Sequence, residues 1–409
     1  MEHTPRSAAG NTPLRRTYAV LMVAPTSFFA DYGCHVRILE EARTLQTLGN
    51  RVTICTYYSG RDLPGLDIHR TAPIPWRTHY EVGSSRHKIA FDALLAFKTL
   101  AVASRTKPDI VHGHLHEGAL IGHAVSRWLN IPLVFDFQGS MTGEMVDHRF
   151  LDQQGSWHRF WRRLEEGIVR LPAATITSSQ HAAELLERDF HRPRDGIVPI
   201  PDCVNSEFFA PTRTEQGRAE LRASLGIPAD RQIVVYLGLL AEWQGTGLLL
   251  QAAKHLLARR SDVHFLIMGY PAVEAYRAQA TALGLDGHVT FTGKIPYEQA
   301  PAFLALGDVA VAPKVSLTEG SGKLLNYMSM SLPTVAFDVP VSREYLDGAG
   351  VYAQVGNAAS LAERIDDLLA DRELGRRLGE RLRQRAIEHF SWATAGARIM
   401  DVYDRVSRQ

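Results

Sequence analysis

Residues 313–337 read PKVSLTEGSGKLLNYMSMSLPTVAF. Glu319-Gly320-Ser321-Gly322 forms a glycine-rich turn that runs into a helical segment, Lys323 to Met330. Leu332-Pro333 stops that helix, and a β-branched, apolar run follows. The first N–H groups of a helix lack intrahelical partners, and glycines let a ligand approach the backbone closely. Lys323 adds an ammonium in the first turn. This combination suits a phosphate or nucleotide; the bland alternative is a pair of turn glycines.

Other residue types also have chemical potential. His112, His114 and His116 alternate in DIVHGHLH. The spacing resembles a metal site, but no third ligand type is evident, so no metal ion is expected. His112 is read as structural, with His116-Glu117 lining a cleft. Asp31-Tyr32-Gly33 reads as a turn or as a cleft-facing segment. Cys34 has no obvious activator and is read as a bystander thiol. Trp157-His-Arg-Phe-Trp-Arg-Arg163 is basic and aromatic at helical spacing. It reads either as a solvated face with Trp157 and Trp161 packed inward, or as an interfacial helix at an anionic membrane. The Ala90–Val102 run, with Lys88 and Lys98, would extend that surface.

The elements that must position these residues follow a repeating pattern. Short apolar, β-rich runs alternate with helical-period segments, the signature of βαβ units and parallel sheets. Strands are expected at 18–23, 52–57, 109–112, 132–136, 174–177 and 198–201. A second series is expected at 232–236, 264–268, 289–291, 309–311 and 334–337. The helix near His35–Leu48 has apolar spacing at Val36, Leu39, Ala42, Leu45 and Leu48. The fold class expected is α/β, two Rossmann-like doubly wound domains facing a cleft. The divisions are a disordered tail (1–16), an N-terminal domain (17–205), a linker (206–218), a C-terminal domain (219–391) and a terminal helix (392–409).

Composition narrows the function classes. The 409-residue chain has 45 basic and 44 acidic residues, with no basic excess of the kind a nucleic-acid binder carries. Its three cysteines, Cys34, Cys55 and Cys203, form no CxxC pair, which fits a reduced, cytoplasmic compartment. No apolar run approaches the roughly 18 residues needed to span a bilayer.

Seven markers in order resemble the retaining glycosyltransferases of family 4, which have the GT-B fold. They are Tyr32-Gly33 before a helix ending LQTLGNRVTI, DIVHGHLH at 109–116, VPIPDCVNSEFFAP at 198–211 and VVYLGLLAEWQGTGLLLQA at 234–252. VTFTGKIPYEQ at 289–299, the glycine turn and its helix, and Phe390-Ser-Trp392 complete the series. The resemblance covers nearly the whole chain after residue 17. It implies hexosyl transfer from a nucleotide-diphosphate sugar to a hydroxyl of a glycan, lipid-linked or small-molecule acceptor. No cofactor is implied, and metal independence agrees with the absence of a DxD motif. The donor side would comprise Gly238, Gln244, Gly293, Lys294, Lys314, Glu319, Gly320, Ser321, Gly322, Lys323, Leu324 and Asn326. The acceptor side would comprise Tyr32, Gly33, His116, Glu117, Asp136, Gln138, Gly139 and Glu144. The terminal helix would pack on the first domain.

The chain departs from the family at chemical positions. The Arg and Lys usual after the first strand of the second domain are missing; Gly238–Gly245 offers Leu239, Leu240 and Gln244. The paired glutamates fall on Thr318, beside Glu319, and on Asn326. A histidine usual after the Pro132–Asp136 strand is replaced by Gln138. Lys314 and Lys323 are the cations expected to compensate a diphosphate. Gln138, Glu319, Lys323 and Asn326 are the residues expected at the chemistry. An epimerase or phosphorylase on the same fold, or a non-catalytic partner protein, are the alternatives.

Overall fold

The computed structural model describes residues 16–31, 33–73, 88–147, 150–211, 214–317 and 320–408. The expected tail, apart from Arg16, and the expected site residues Tyr32 and Glu319 lie outside them.

The first half builds seven strands: β1 (Ala19–Ala24), β2 (Arg51–Thr56), β3 (Asp67–Arg70), β4 (Ile110–His114), β5 (Leu133–Phe137), β6 (Ala174–Thr177) and β7 (Ile197–Pro199). They form one parallel sheet in the order β3-β2-β1-β4-β5-β6-β7. The second half builds β8 (Gln232–Leu237), β9 (Val263–Met268), β10 (Val289–Gly293), β11 (Val309–Ala312), β12 (Thr334–Phe337) and β13 (Val351–Ala353). These form a parallel sheet in the order β10-β9-β8-β11-β12-β13. Central strands such as β1 and β9 are buried on both faces, so they read as continuous apolar runs. Each fully buried Leu, Ile or Val in them contributes about 1.5–3 kcal/mol.

β3 and β13, not expected from sequence, are short edge strands. DIHR and VYA carry little of the apolar signal because one edge faces solvent or loops. The stretch read as a linker is shortened by a helix, Glu215–Ser224, whose start is capped by Thr214 Oγ1 accepting from the Gly217 N–H at 3.2 Å.

The chain crosses from the second half back to the first where the Val204 N–H donates to the Phe390 carbonyl at 2.9 Å. The last helix, Trp392–Val406, buries Ile399, Met400, Val402, Tyr403 and Val406 in one core with Tyr18, Val20, Ile38 and Leu45. Tyr18 Oη donates to Asp404 Oδ1 at 2.6 Å, tying the last helix to the start of β1.

In both sheets the strand order reverses beside the first strand, β1 against β4 and β8 against β11. Loops after those strands therefore diverge and leave a crevice at the carboxyl ends, where ligands of open α/β sheets bind. The two crevices face each other.

Candidate functional site

The cleft between the halves has a volume of about 360 Å³. On the second-half side, the helix Gly322–Ser329 follows β11 and the glycine turn. Ser321 precedes it without its hydroxyl capping the helix, so the helix start remains available to an anion. Lys323 Nζ donates to Gln244 Oε1 at 2.8 Å and to Tyr236 Oη at 3.2 Å, and lies 4.4 Å from the Tyr236 ring centroid. A Cβ on Gly238 would stand 2.6 Å from Lys323 Nζ, so glycine leaves the ammonium room there. Lys314, almost wholly buried, donates to the Gly320 carbonyl at 2.8 Å. The structure thus brings Gly238, Gln244, Lys314, Gly320, Ser321, Gly322, Lys323 and Asn326 to one wall.

Gly33, Gln138 and Glu144 line the opposite wall, with Arg37, Ser178 and Asp202. A Cβ on Gly320 would meet Asp202 Oδ2 at 2.5 Å and Ser178 Oγ at 3.2 Å, so this glycine permits the two halves to close. Ser178 Oγ and Ser321 Oγ are buried cleft hydroxyls with no hydrogen-bond partner among the described residues. Unmade bonds of this kind are costly when dry, and a polar ligand would satisfy them.

Beneath Gln138 lies a charged network. Arg37 holds Asp136 with Nη2 at 2.9 Å and Nε at 3.0 Å, and Asp202 with Nη1 at 3.0 Å. Gln138 Nε2 donates to Asp136 Oδ2 at 2.7 Å, and His114 Nδ1 lies 3.1 Å from the same oxygen. Burial opposes ionisation of Asp136, but the Arg37 charge and the His114 contact outweigh it and hold the carboxyl far below its usual range. For Asp202, burial wins over Arg37 and raises the carboxyl.

Several expected site residues stand elsewhere. Asp136 is fully buried and committed to Arg37, so it supports Gln138 from below instead of meeting an acceptor. His116 is buried, 3.1 Å from Glu165 Oε1, because Glu165 gathers it together with the start of the helix at Met141–Asp147. Glu117 pairs with Lys88 at 2.5 Å. Leu324 is fully buried and packs in the second-half core. Gly293 and Gly139 do not line the cleft. Lys294 does, yet its ammonium sits 3.2 Å from Asp31 Oδ2 on the other half. Trp157, expected to pack inward on one reading, is 67% exposed.

Sequence reasoning missed Arg37, Asp202, Trp243, Tyr270 and Tyr297 as cleft residues. The helix Gly33–Thr47 buries Arg37, Glu40 and Glu41 beside Ile38 and Leu39, whereas Leu48, assigned to its apolar face, is 36% exposed. An Arg and a Glu four residues apart read as a surface pair. Only the pile-up of charge opposite DIVHGHLH and FDFQGS could have signalled burial.

Comparison with known proteins places these features. Residues 217–385 match the model for glycosyl transferases group 1, and residues 33–208 match the model for Glycosyltransferase Family 4. The chain is 29% identical over 307 residues to an alpha-D-kanosaminyltransferase of Streptomyces kanamyceticus, covering 72% of this chain and 77% of that one. It is 26% identical over 392 residues to a phosphatidyl-myo-inositol mannosyltransferase of Mycolicibacterium smegmatis, covering 94% and 93%. Anabaena Alr3699/HepE, solved with UDP and glucose, superimposes with a TM-score of 0.77 at 16% identity, covering 95% of this chain and 99% of that one. The two facing parallel sheets are the GT-B fold. The chain therefore belongs to the family-4 glycosyltransferases.

Proposed function

We propose that the protein moves a hexosyl group, with retention of anomeric configuration, from a nucleotide-diphosphate sugar to an acceptor hydroxyl. The observation that carries this reading is the convergence of Lys314, Lys323 and the start of the helix Gly322–Ser329 on one cleft wall, opposite Gln138 and Glu144. The two lysines stand in for the missing Arg/Lys pair, since a buried diphosphate needs compensating charge. To reach it, Lys323 would exchange its bond to Gln244 for a phosphate oxygen. Asn326 offers its amide to ribose or sugar hydroxyls.

In the reaction, the bond from the sugar C1 to the phosphate oxygen breaks and a bond from C1 to the acceptor oxygen forms on the same face. The departing phosphate takes the acceptor proton, so no separate base is required and Gln138 suffices to orient sugar or acceptor. Asp136, fixed by Arg37, fixes Gln138 in turn. The charge developing on the leaving diphosphate is met by preorganised donors, which act most strongly once the cleft excludes water. No metal ion is assigned to this step.

The acceptor is a glycan, a lipid-linked intermediate or a small molecule. The names of relatives span a lipid acceptor, in the phosphatidyl-myo-inositol mannosyltransferase of Mycolicibacterium smegmatis, and a small-molecule one, in a 2-deoxystreptamine N-acetyl-D-glucosaminyltransferase of Streptomyces fradiae. On the helix Ser156–Val169, Trp157, Phe160 and Leu164 are exposed at spacings of three and four, flanked by exposed Arg159 and Arg163. An apolar stripe edged by cations suits peripheral contact with an anionic membrane, which would deliver a lipid-linked acceptor. No helix among the described residues is long and apolar enough to cross a membrane.

The test is incubation with a panel of nucleotide sugars and candidate acceptors, following acceptor-dependent release of the nucleoside diphosphate. Release with one donor supports the reading. Donor binding without turnover across the panel would favour a non-catalytic partner protein instead.

A further inference from the structure

His112 and His114 alternate on β4, so both rings face the same side of the sheet. They stack with centroids 4.6 Å apart and planes 14° from parallel. Across from them stands Glu41, from the helix Gly33–Thr47, and all three side chains are fully buried. His112 Nε2 lies 3.9 Å from Glu41 Oε2, and one ligand atom of each residue falls within 4.8 Å of the other two.

The outer contacts orient the ring nitrogens. His114 Nδ1 faces Asp136 Oδ2 at 3.1 Å. An ionised carboxylate only accepts, so Nδ1 carries the proton and Nε2 keeps its lone pair. His112 Nδ1 is 2.7 Å from Tyr403 Oη, which leaves its Nε2 directed inward as well. Both Nε2 atoms and both Glu41 oxygens make no hydrogen bond among the described residues. Glu41 Oε1 has only the ion pair to Arg37 Nε, at 3.1 Å. The partners are also unequal in number. Among the described residues, the Arg37 guanidinium is shared by three carboxyl groups, those of Glu41, Asp136 and Asp202. Glu41 therefore has a share of one cation in a site where unpaired polar groups are expensive.

We propose that Glu41, His112 and His114 bind one divalent transition-metal ion of the zinc class, the histidines through Nε2 and Glu41 through its carboxylate. Two imidazoles and a carboxylate suit zinc, cobalt(II) or iron(II), whereas magnesium and calcium favour all-oxygen sets. An Nδ1–H held by a carboxylate is the usual outer support of a metal-bound histidine. Bonds of about 2.0–2.1 Å place tetrahedral ligands about 3.3 Å apart, so the three donors close in modestly on the ion. None of the three lines the cleft, so the ion is structural. It joins the helix Gly33–Thr47 to β4, and through Tyr403 to the last helix. The chain His114–Asp136–Gln138 carries its influence to the cleft floor.

The test uses full-length protein, tag removed, from zinc-supplemented cultures, analysed by inductively coupled plasma mass spectrometry after dialysis against a weak chelator. About one zinc per chain is expected. Glu41→Gln and His114→Gln should lose it, while magnesium added instead is not retained. X-ray absorption on the wild-type zinc form should show two imidazoles and an oxygen ligand, a readout that needs no folded variant. Wild-type protein holding well under one zinc per chain, a sulfur ligand, or full zinc in both variants would overturn the proposal. Donor turnover is read separately, so failure here leaves the transferase reading standing.

Discussion

Lys294, at the end of β10, places its ammonium 3.2 Å from the Asp31 carboxylate, bridging the second half to the loop after β1. Asp31 also accepts from Arg61 at 2.7 Å and from the Tyr297 N–H at 3.2 Å, and Arg61 reaches Glu298 at 2.8 Å. Tyr270 Oη donates to the Ala30 carbonyl at 3.1 Å. Burial works against ionised Asp31, but Arg61, the Tyr297 N–H and Lys294 together hold its carboxyl below the ordinary range. On the far side of the cleft, Glu344 accepts from the Gln180 N–H at 2.8 Å. The two halves are therefore latched at both ends of the cleft.

Asp31→Asn should weaken the first latch. Arg61 and Lys294 are partly exposed, so the loss is about 1 kcal/mol or less. Small-angle scattering of the ligand-free variant should show a larger radius of gyration than wild type, and the Michaelis constant for donor should rise. Because the folded carboxyl is lowered, the latch is fully present above the unfolded value near 4 and is lost as pH falls through the folded value. An unchanged radius at neutral pH would show that the remaining contacts hold the cleft closed without Asp31.

Lys323→Ala removes the ammonium that Gly238, Gln244 and Tyr236 surround. Loss of a charge-assisted contact to phosphate is worth about 1.5–3 kcal/mol, roughly tenfold to a hundredfold in donor affinity. Isothermal titration with nucleoside diphosphates measures it. Normal donor affinity and turnover in the variant would remove Lys323 from the site.

How much of this the sequence disclosed depends on which forces place a residue. The glycine turn and Lys323 were legible because helix starts and turns obey local rules. Most strands were legible because β1, β8 and β9 are buried on both faces. Arg37 and Glu41 were not, since only tertiary packing against the sheet and last helix turns an apparent surface pair inward. Glu41 joins His112 and His114 across about seventy residues of chain, a separation no local pattern encodes. Asp136 looked like an acceptor ligand for the same reason: its partner, Arg37, is invisible until the sheet forms. Trp157 and Phe160 have helical spacing that specifies a stripe but not whether protein or solvent covers it.

Asp92 accepts from Tyr57 Oη at 2.5 Å, and burial, reinforced by the nearby Glu117 charge, pushes its carboxyl up to about 6. The folded chain then holds a proton that the unfolded chain releases near 4, so stability falls as pH rises between those values. Asp92→Asn has no charge to bury. Its stability relative to wild type should increase from pH 4 to pH 6 and level off above, by on the order of 2 kcal/mol. Urea denaturation across that range checks the trend; a difference independent of pH would contradict it.

The exposed Trp157, Phe160 and Leu164 stripe predicts co-sedimentation with anionic vesicles at low salt, weakened as salt screens Arg159 and Arg163. Trp157→Ala combined with Phe160→Ala should reduce the bound fraction several-fold without altering turnover of a water-soluble acceptor. No binding of wild type to anionic vesicles would remove the membrane role.

The central claim is retaining hexosyl transfer within the cleft. Its most direct measurement is the proton NMR spectrum of the transfer product, recorded early in the reaction with the donor identified from the panel. The account predicts a product whose anomeric coupling constant reports the same configuration as the donor sugar. A product of opposite configuration, formed by the wild-type protein, would contradict it.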